Sequence, residues 1–158
     1  MIPLLINAKH LCQIFEPELN IDGWTEDQIR EYSLSKQMYP TDVKLTAETY
    51  SRDAERTADY ELEYLNIVNR KAKPEFTWAL LRADYAENLM ALLEYHYDFK
   101  DADGVITPIE APRFSITYRD FIGMRTITSY VGQTIEGTLV EYEDVQYWQD
   151  FRIAFPEF

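Results

Sequence analysis

PEFTWALLRADYAENLMALLEYHY, residues Pro74–Tyr97, changes its hydrophobic period partway along, and that change decides the fold class. Phe76 to Leu81 reads as a return strand. It follows Pro74, which has no N–H to donate and is not expected in the middle of a ladder. From Asp84 the spacing becomes helical. Asp84 reads as an N-cap, and Glu87 three residues later as its capping-box partner. Tyr85, Leu89, Leu92 and His96 share one stripe, with Ala86, Met90, Leu93 and Tyr97 beside it. An apolar arc that wide packs against a sheet. One principal helix over about residues 84–97 is therefore expected next to β-structure.

Working upstream, Tyr60 to Val68 alternates, with Tyr60, Leu62 and Tyr64 on one face and Glu61 and Glu63 on the other. Such alternation marks a half-buried antiparallel strand. Asn69 to Lys73 reads as a basic turn and Ser51 to Thr57 as a charged connection. Val43 to Tyr50 alternates again. Leu4 to Phe15 reads as a strand or hairpin broken at Asn7-Ala8-Lys9. Residues 16–44 form a long polar excursion punctuated by Pro17, Asp22-Gly23 and Pro40. Thr25 and Gln28 make a capping box, so a short helix over Glu26 to Ser33 is expected within it.

Downstream, residues 99–112 read as a long loop. Phe114, Ile116 and Tyr118 begin a strand, Gly123 marks a turn, and Thr126 to Val131 returns from it. Val140 and Tyr142 lead to a turn at Glu143-Asp144, and Trp148 to Phe155 forms a last strand that Pro156 ends. The sum is an α+β fold: a mostly antiparallel sheet or sandwich with one principal flanking helix, in a single domain spanning 1–158.

Composition narrows the function. A chain of 158 residues buries roughly 68–70% of its unfolded surface and needs neither disulfides nor metal to fold. The net charge of −13 opposes a nucleic-acid surface, which needs clustered Lys and Arg, and opposes docking on anionic lipid. The charge serves solubility, or a surface that must not hold DNA passing along it. With Cys12 as the single cysteine, no internal disulfide and no cysteine metal knot can form, which fits folding in a reducing cytoplasm. Met1 to Ile6 is apolar but has no basic flank and does not read as a signal peptide. No apolar run approaches a membrane span.

The candidate sites are few. Placing Gly104 at the sixth position of an EF-hand loop puts Asp101 third, Asp103 fifth, Ile106 eighth and Glu110 twelfth. The first position is then Phe99, and Pro108 and Pro112 block an exiting helix. An Asp-Gly turn accounts for the same residues without calcium. Glu61 and Glu63 make an acidic pair, and Glu141, Glu143 and Asp144 cluster near a turn; a hydrolase would need two such carboxylates facing a cleft. Solvated faces, or an acidic lumen in the case of Glu61 and Glu63, explain them as well. His10 and Cys12 lie two apart with no third group to orient a base. His96 sits late in the expected helix, where its charged form would favour the dipole. Trp78 and Trp148 fall in strands and read as core. Trp24, in the polar excursion with Glu26, Tyr32 and Tyr39, reads as an interface anchor. No cofactor is expected.

From Tyr60 to Phe158 the order of features resembles a family of small tail-associated proteins of siphophages and prophages of Gram-positive bacteria. An alternating strand pair ends in Trp78 and Leu81, and the Leu-rich helix Asp84–Tyr97 follows. Then come Phe-Ser-Ile-Thr-Tyr-Arg-Asp (114–120), Gly-Met-Arg-Thr (123–126) and Tyr-Val-Gly (130–132). The chain closes on Tyr147 to Glu157, with Trp148, Phe151, Ile153 and Phe155 in the pattern. Residues 16–57 have no counterpart in the family, and the loop 99–112 is longer. The resemblance implies a non-enzymatic virion part with a fold like that of tail-tube and distal-tail proteins. Such a part builds rings, often hexameric, and stacks on other tail proteins after assembly in the bacterial cytoplasm. Two other functions fit the residues: a non-catalytic module that binds a host glycan or protein through exposed aromatics, and an acid–base hydrolase.

Overall fold

The computed structural model describes residues 1–56, 62–98, 102–105 and 110–158, with backbone only at 51–56 and 62–68. Among the described residues, two four-stranded antiparallel sheets and three helices share a hydrophobic core. The expected α+β class, with antiparallel sheets and a flanking helix, is the architecture found.

The first sheet takes the order β2-β1-β5-β6, from β1 (Leu4–Ile6), β2 (Lys9–His10), β5 (Phe114–Asp120) and β6 (Gly123–Ser129). The β1–β2 hairpin turns on Asn7 and Ala8, both at positive φ (51° and 62°), the backbone of a tight primed turn. Phe114, Ile116 and Tyr118 alternate inward along β5, as their spacing predicts.

The second sheet takes the order β3-β4-β8-β7. Its strands are β3 (Asp42–Arg56), β4 (Leu62–Arg82), β7 (Glu136–Tyr142) and β8 (Val145–Ala154). Glu143 and Asp144 form the β7–β8 turn at φ 50° and 64°. Expected breaks in β4 do not occur: Asn69 to Lys73 is ladder, and Pro74 lies within the strand opposite Leu45 of β3. The register explains this. In an antiparallel strand a residue's N and C=O point to the same side. The Pro74 carbonyl accepts from Phe155 N–H (2.8 Å), so its ring nitrogen faces β8, not β3. The β4–β8 ladder itself ends one residue away, at Glu75 and Ala154, so the missing donor interrupts no β3 pairing.

Phe155 joins the sheets. Its ring lies 5.5 Å from Phe114 of the first and 5.8 Å from Phe76 of the second. Trp78 sits beside them, 1% exposed, 5.9 Å from Phe151, and its indole N–H donates to the Met38 carbonyl (2.8 Å). The last residues stitch the same seam. Glu157 N–H donates to Ala72 C=O, while Phe158 N–H donates to Thr128 C=O, so alternate residues bond β4 and β6.

The helices are α1 (Leu11–Phe15), α2 (Glu26–Ser35) and α3 (Ala83–Leu92). Helix α1 replaces the strand expected there. Gln13 Oε1 accepts from His10 N–H (3.0 Å), and Leu11, Cys12, Ile14 and Phe15 are buried on a helical spacing. Helix α2 starts where the Thr25–Gln28 box predicts. Helix α3 begins directly from β4 with Arg82 at the N-cap; Asp84 instead binds Arg82 and the Tyr85 N–H. It ends at Leu92, and Glu94 at φ 53° reverses the chain, so His96 lies beyond the helix.

Candidate functional site

The feature most unlike an ordinary domain is the outer part of the β3–β4 pair. Register runs unbroken from Asp42↔Thr77 to Tyr50↔Asn69, then with irregularities to Arg56↔Leu62. β8 accompanies β4 only from Glu75 to Arg82, and the C-terminal residues reach back no further than Ala72. From Lys71 outward to Leu62 the two strands therefore stand as a two-stranded ribbon, roughly 30 Å long at about 3.3 Å per residue. Thr46 to Tyr50, Asn69 and Arg70 are exposed, so neither face of its described part is covered.

Cross-strand chemistry lets this part stand in water. Glu48 lies opposite Lys71 at its base. Opposite charges at facing positions support a sheet pair by a few tenths to about 1 kcal/mol. Arg70 Nε donates to Thr49 Oγ1 (3.2 Å), and Lys71 Nζ lies 5.9 Å from the Tyr50 ring. Glu61, expected to line an acidic lumen, lies outside the described residues, as does the Glu63 side chain.

Two carboxylate anchors fix the rest of the molecule. Glu16 accepts from Tyr32 Oη and from Tyr85 Oη (3.0 Å), tying the 16–44 segment to α3. The bond to Glu16 and then burial push the Tyr32 phenol up to about 12. Burial, followed by the same carboxylate, pushes Tyr85 up to about 12. Arg82 stacks over the Tyr85 ring at 4.6 Å. The second anchor is Glu157, which takes Arg125 (2.8 Å) on one oxygen and the Ala72 N–H (2.8 Å) on the other. Asp120 accepts from Tyr118 Oη and lies 3.6 Å from Arg125. Burial and then Asp120 raise the Tyr118 phenol well above its ordinary value.

The expected interface residues are distributed as follows. Trp24 is half-buried, edge-on to the Tyr32 ring at 5.4 Å. Glu26 is exposed, 3.9 Å from His10 Nε2. Tyr39 is half-buried, its phenol raised chiefly by burial. Trp24 and Tyr32 thus touch each other, and the segment packs Ile29, Ser33 and Met38 into the body.

His10 and Cys12 do not share a strand face. His10 closes β2, while Cys12 is buried in α1, where burial raises its thiol. Of the EF-hand positions, Asp101 and Ile106 lie outside the described residues. Asp103 is exposed, and the Glu110 carboxylate pairs with Arg113. Glu141, Glu143 and Asp144 are exposed around the β7–β8 turn. Among the described residues no three His, Cys, Asp or Glu side chains gather as a metal set, and no helix is long and apolar enough to cross a membrane.

No family model matches the sequence, and no curated protein matches it. Among solved structures, a chain from the tail of an empty GTA particle, computed with helical refinement in C6 symmetry, overlaps this one. It is 16% identical, 74% of each chain is covered, and the TM-score is 0.36. Overlap that loose carries no functional assignment.

Proposed function

We propose that this chain is a non-catalytic structural component of a phage tail or phage-tail-like particle, which self-assembles into rings and stacks on neighbouring tail proteins. The single observation that carries the reading is the β3–β4 ribbon. A two-stranded ribbon in water is marginal by itself, and an edge strand of 15 residues presents a long row of donors and acceptors to another chain. Both features become stabilising once a neighbour covers the ribbon or continues its sheet. The order of sequence features shared with siphophage tail proteins supplies the setting. The net charge of −13 suits a wall that DNA must pass without sticking. Within the 16–44 segment, Trp24, Glu26, Tyr32 and Tyr39 are the contact offered to an adjacent protomer or ring.

Light scattering behind size-exclusion chromatography, with negative-stain microscopy, tests the reading. Closed rings or short tubes are the expected result as concentration rises. A protein that stays strictly monomeric at high concentration refutes it.

A further inference from the structure

The hairpin tip joining β5 to β6 is Phe121-Ile122, and these side chains are 75% and 85% exposed. Met124, just past Gly123, is 54% exposed. Gly123 carries the turn at φ 114°. Tight hairpin tips are ordinarily polar, with Asn, Asp or Gly at the bend. Adjacent large apolar groups held out at the end of a rigid hairpin are the composition of a docking knob.

A matching depression lies elsewhere. Between α3 and the β7–β8 pair is a groove of about 590 Å³. Met90 and Ala91 of α3 line one side, and Trp148 and Phe151 of β8 the other. Its volume is of the class that holds a drug-sized ligand, enough for two apolar side chains. Gly137 also lines it, packed so closely that a Cβ there would come within 3.3 Å of the Trp148 ring. The acidic members of the lining are Glu87 and Glu136. Exposed Arg119 precedes the knob by two residues and supplies the opposite charge, while the intervening Asp120 is turned in onto Tyr118 and Arg125.

We propose that the Phe121-Ile122 tip of one protomer seats in the α3–β8 groove of a second copy, with Arg119 facing Glu87 and Glu136. The proposal rests on the self-assembly argued above and assigns one of its contacts. A protomer does not fill its own groove, because its tip is exposed. Knob and groove are different patches, so joined head to tail they make a heterologous contact that propagates into a ring or an open filament.

The test combines cross-linking with charge reversal in the full chain. Chains carrying Ile122→Cys are mixed with chains carrying Met90→Cys, oxidised, and run without reductant. Cys12 stays in place, since it is buried. A disulfide-linked dimer is expected from the mixture and not from either chain alone, and the double-cysteine chain should give a ladder. Arg119→Glu should raise the concentration needed for assembly by about tenfold or more, and Glu87→Lys in the same chain should restore it. Phe121→Ser with Ile122→Ser should do the same with circular dichroism and Tm unchanged. If the wild type assembles while no cross-link forms and the tip variants assemble normally, the knob contact is wrong and the ring reading survives. A wild type that never assembles overturns both. Tip variants that assemble normally but lose a different protein would show that the groove's occupant is not a second copy, and so refute the contact.

Discussion

At the scale of single residues, two glutamates, Glu16 and Glu157, each hold two partners from different parts of the chain. Glu16 accepts from two phenols raised to about 12, against an ordinary tyrosine value of 10.0. Each phenol binds its proton more tightly folded than unfolded. The stability it contributes is complete below pH 10.0 and is lost as the pH rises through about 12. Alkaline unfolding should therefore set in across that window, with late-titrating tyrosines in the absorbance profile. Glu16→Gln removes the charge, so both phenols should titrate closer to 10.0 and the alkaline loss should become shallower. At neutral pH the same change should cost about 1–2 kcal/mol in urea unfolding. Glu157→Ala should cost about 2 kcal/mol, because it strips a partner from the Ala72 N–H and from Arg125 together. Faster hydrogen exchange at Ala72, measured by NMR, would separate that cause from a general loosening. Cys12 should resist alkylation in native protein, since burial both hides its thiol and raises it.

At the scale of elements, α2 is held by a reciprocal cap: Thr25 Oγ1 takes the Gln28 N–H at 3.2 Å, and Gln28 Oε1 takes the Thr25 N–H at 2.8 Å. Thr25→Ala should lower stability by about 1 kcal/mol in urea unfolding, with no change in α3. This cap was legible because its signal is local, two residues three apart. The alternations in β5 and the turn at Glu143-Asp144 were legible for the same reason. Less local features were not. Pro74 reads as a break until its neighbours are known, because only the register shows which side of the strand its nitrogen faces. The short α1 reads as strand because five residues are too few for a helical period to stand out beside a hairpin, and the Gln13 cap decides it. Asp84 has the chemistry of an N-cap, yet β4 enters α3 with no loop and Arg82 occupies that place. The candidate site was the least legible. A basic stretch such as Asn69 to Lys73 looks like a turn, when it is the middle of a long strand whose partner supplies the balancing acid.

At the scale of the whole molecule, the ribbon and the body are separable. Excising residues 49–70 and joining Glu48 to Lys71 through Asn-Gly should leave the core intact, because the pairs from Glu48↔Lys71 inward and the whole β4–β8 ladder are kept. The expected outcome is a folded protein of near-native Tm that needs a much higher concentration to form higher species in light scattering, since only the knob contact and that of the 16–44 segment are left. Assembly at the wild-type concentration would show that the ribbon is not a contact. The topology has one more consequence, for biosynthesis. β8 fills the gap between β4 and β7, yet it is made after both, and residues Phe155 to Phe158 tie the two sheets together. A nascent chain therefore cannot close its second sheet until β8 has emerged from the ribosome, and a product stalled before it would leave the inner border of β4 bare for promiscuous pairing.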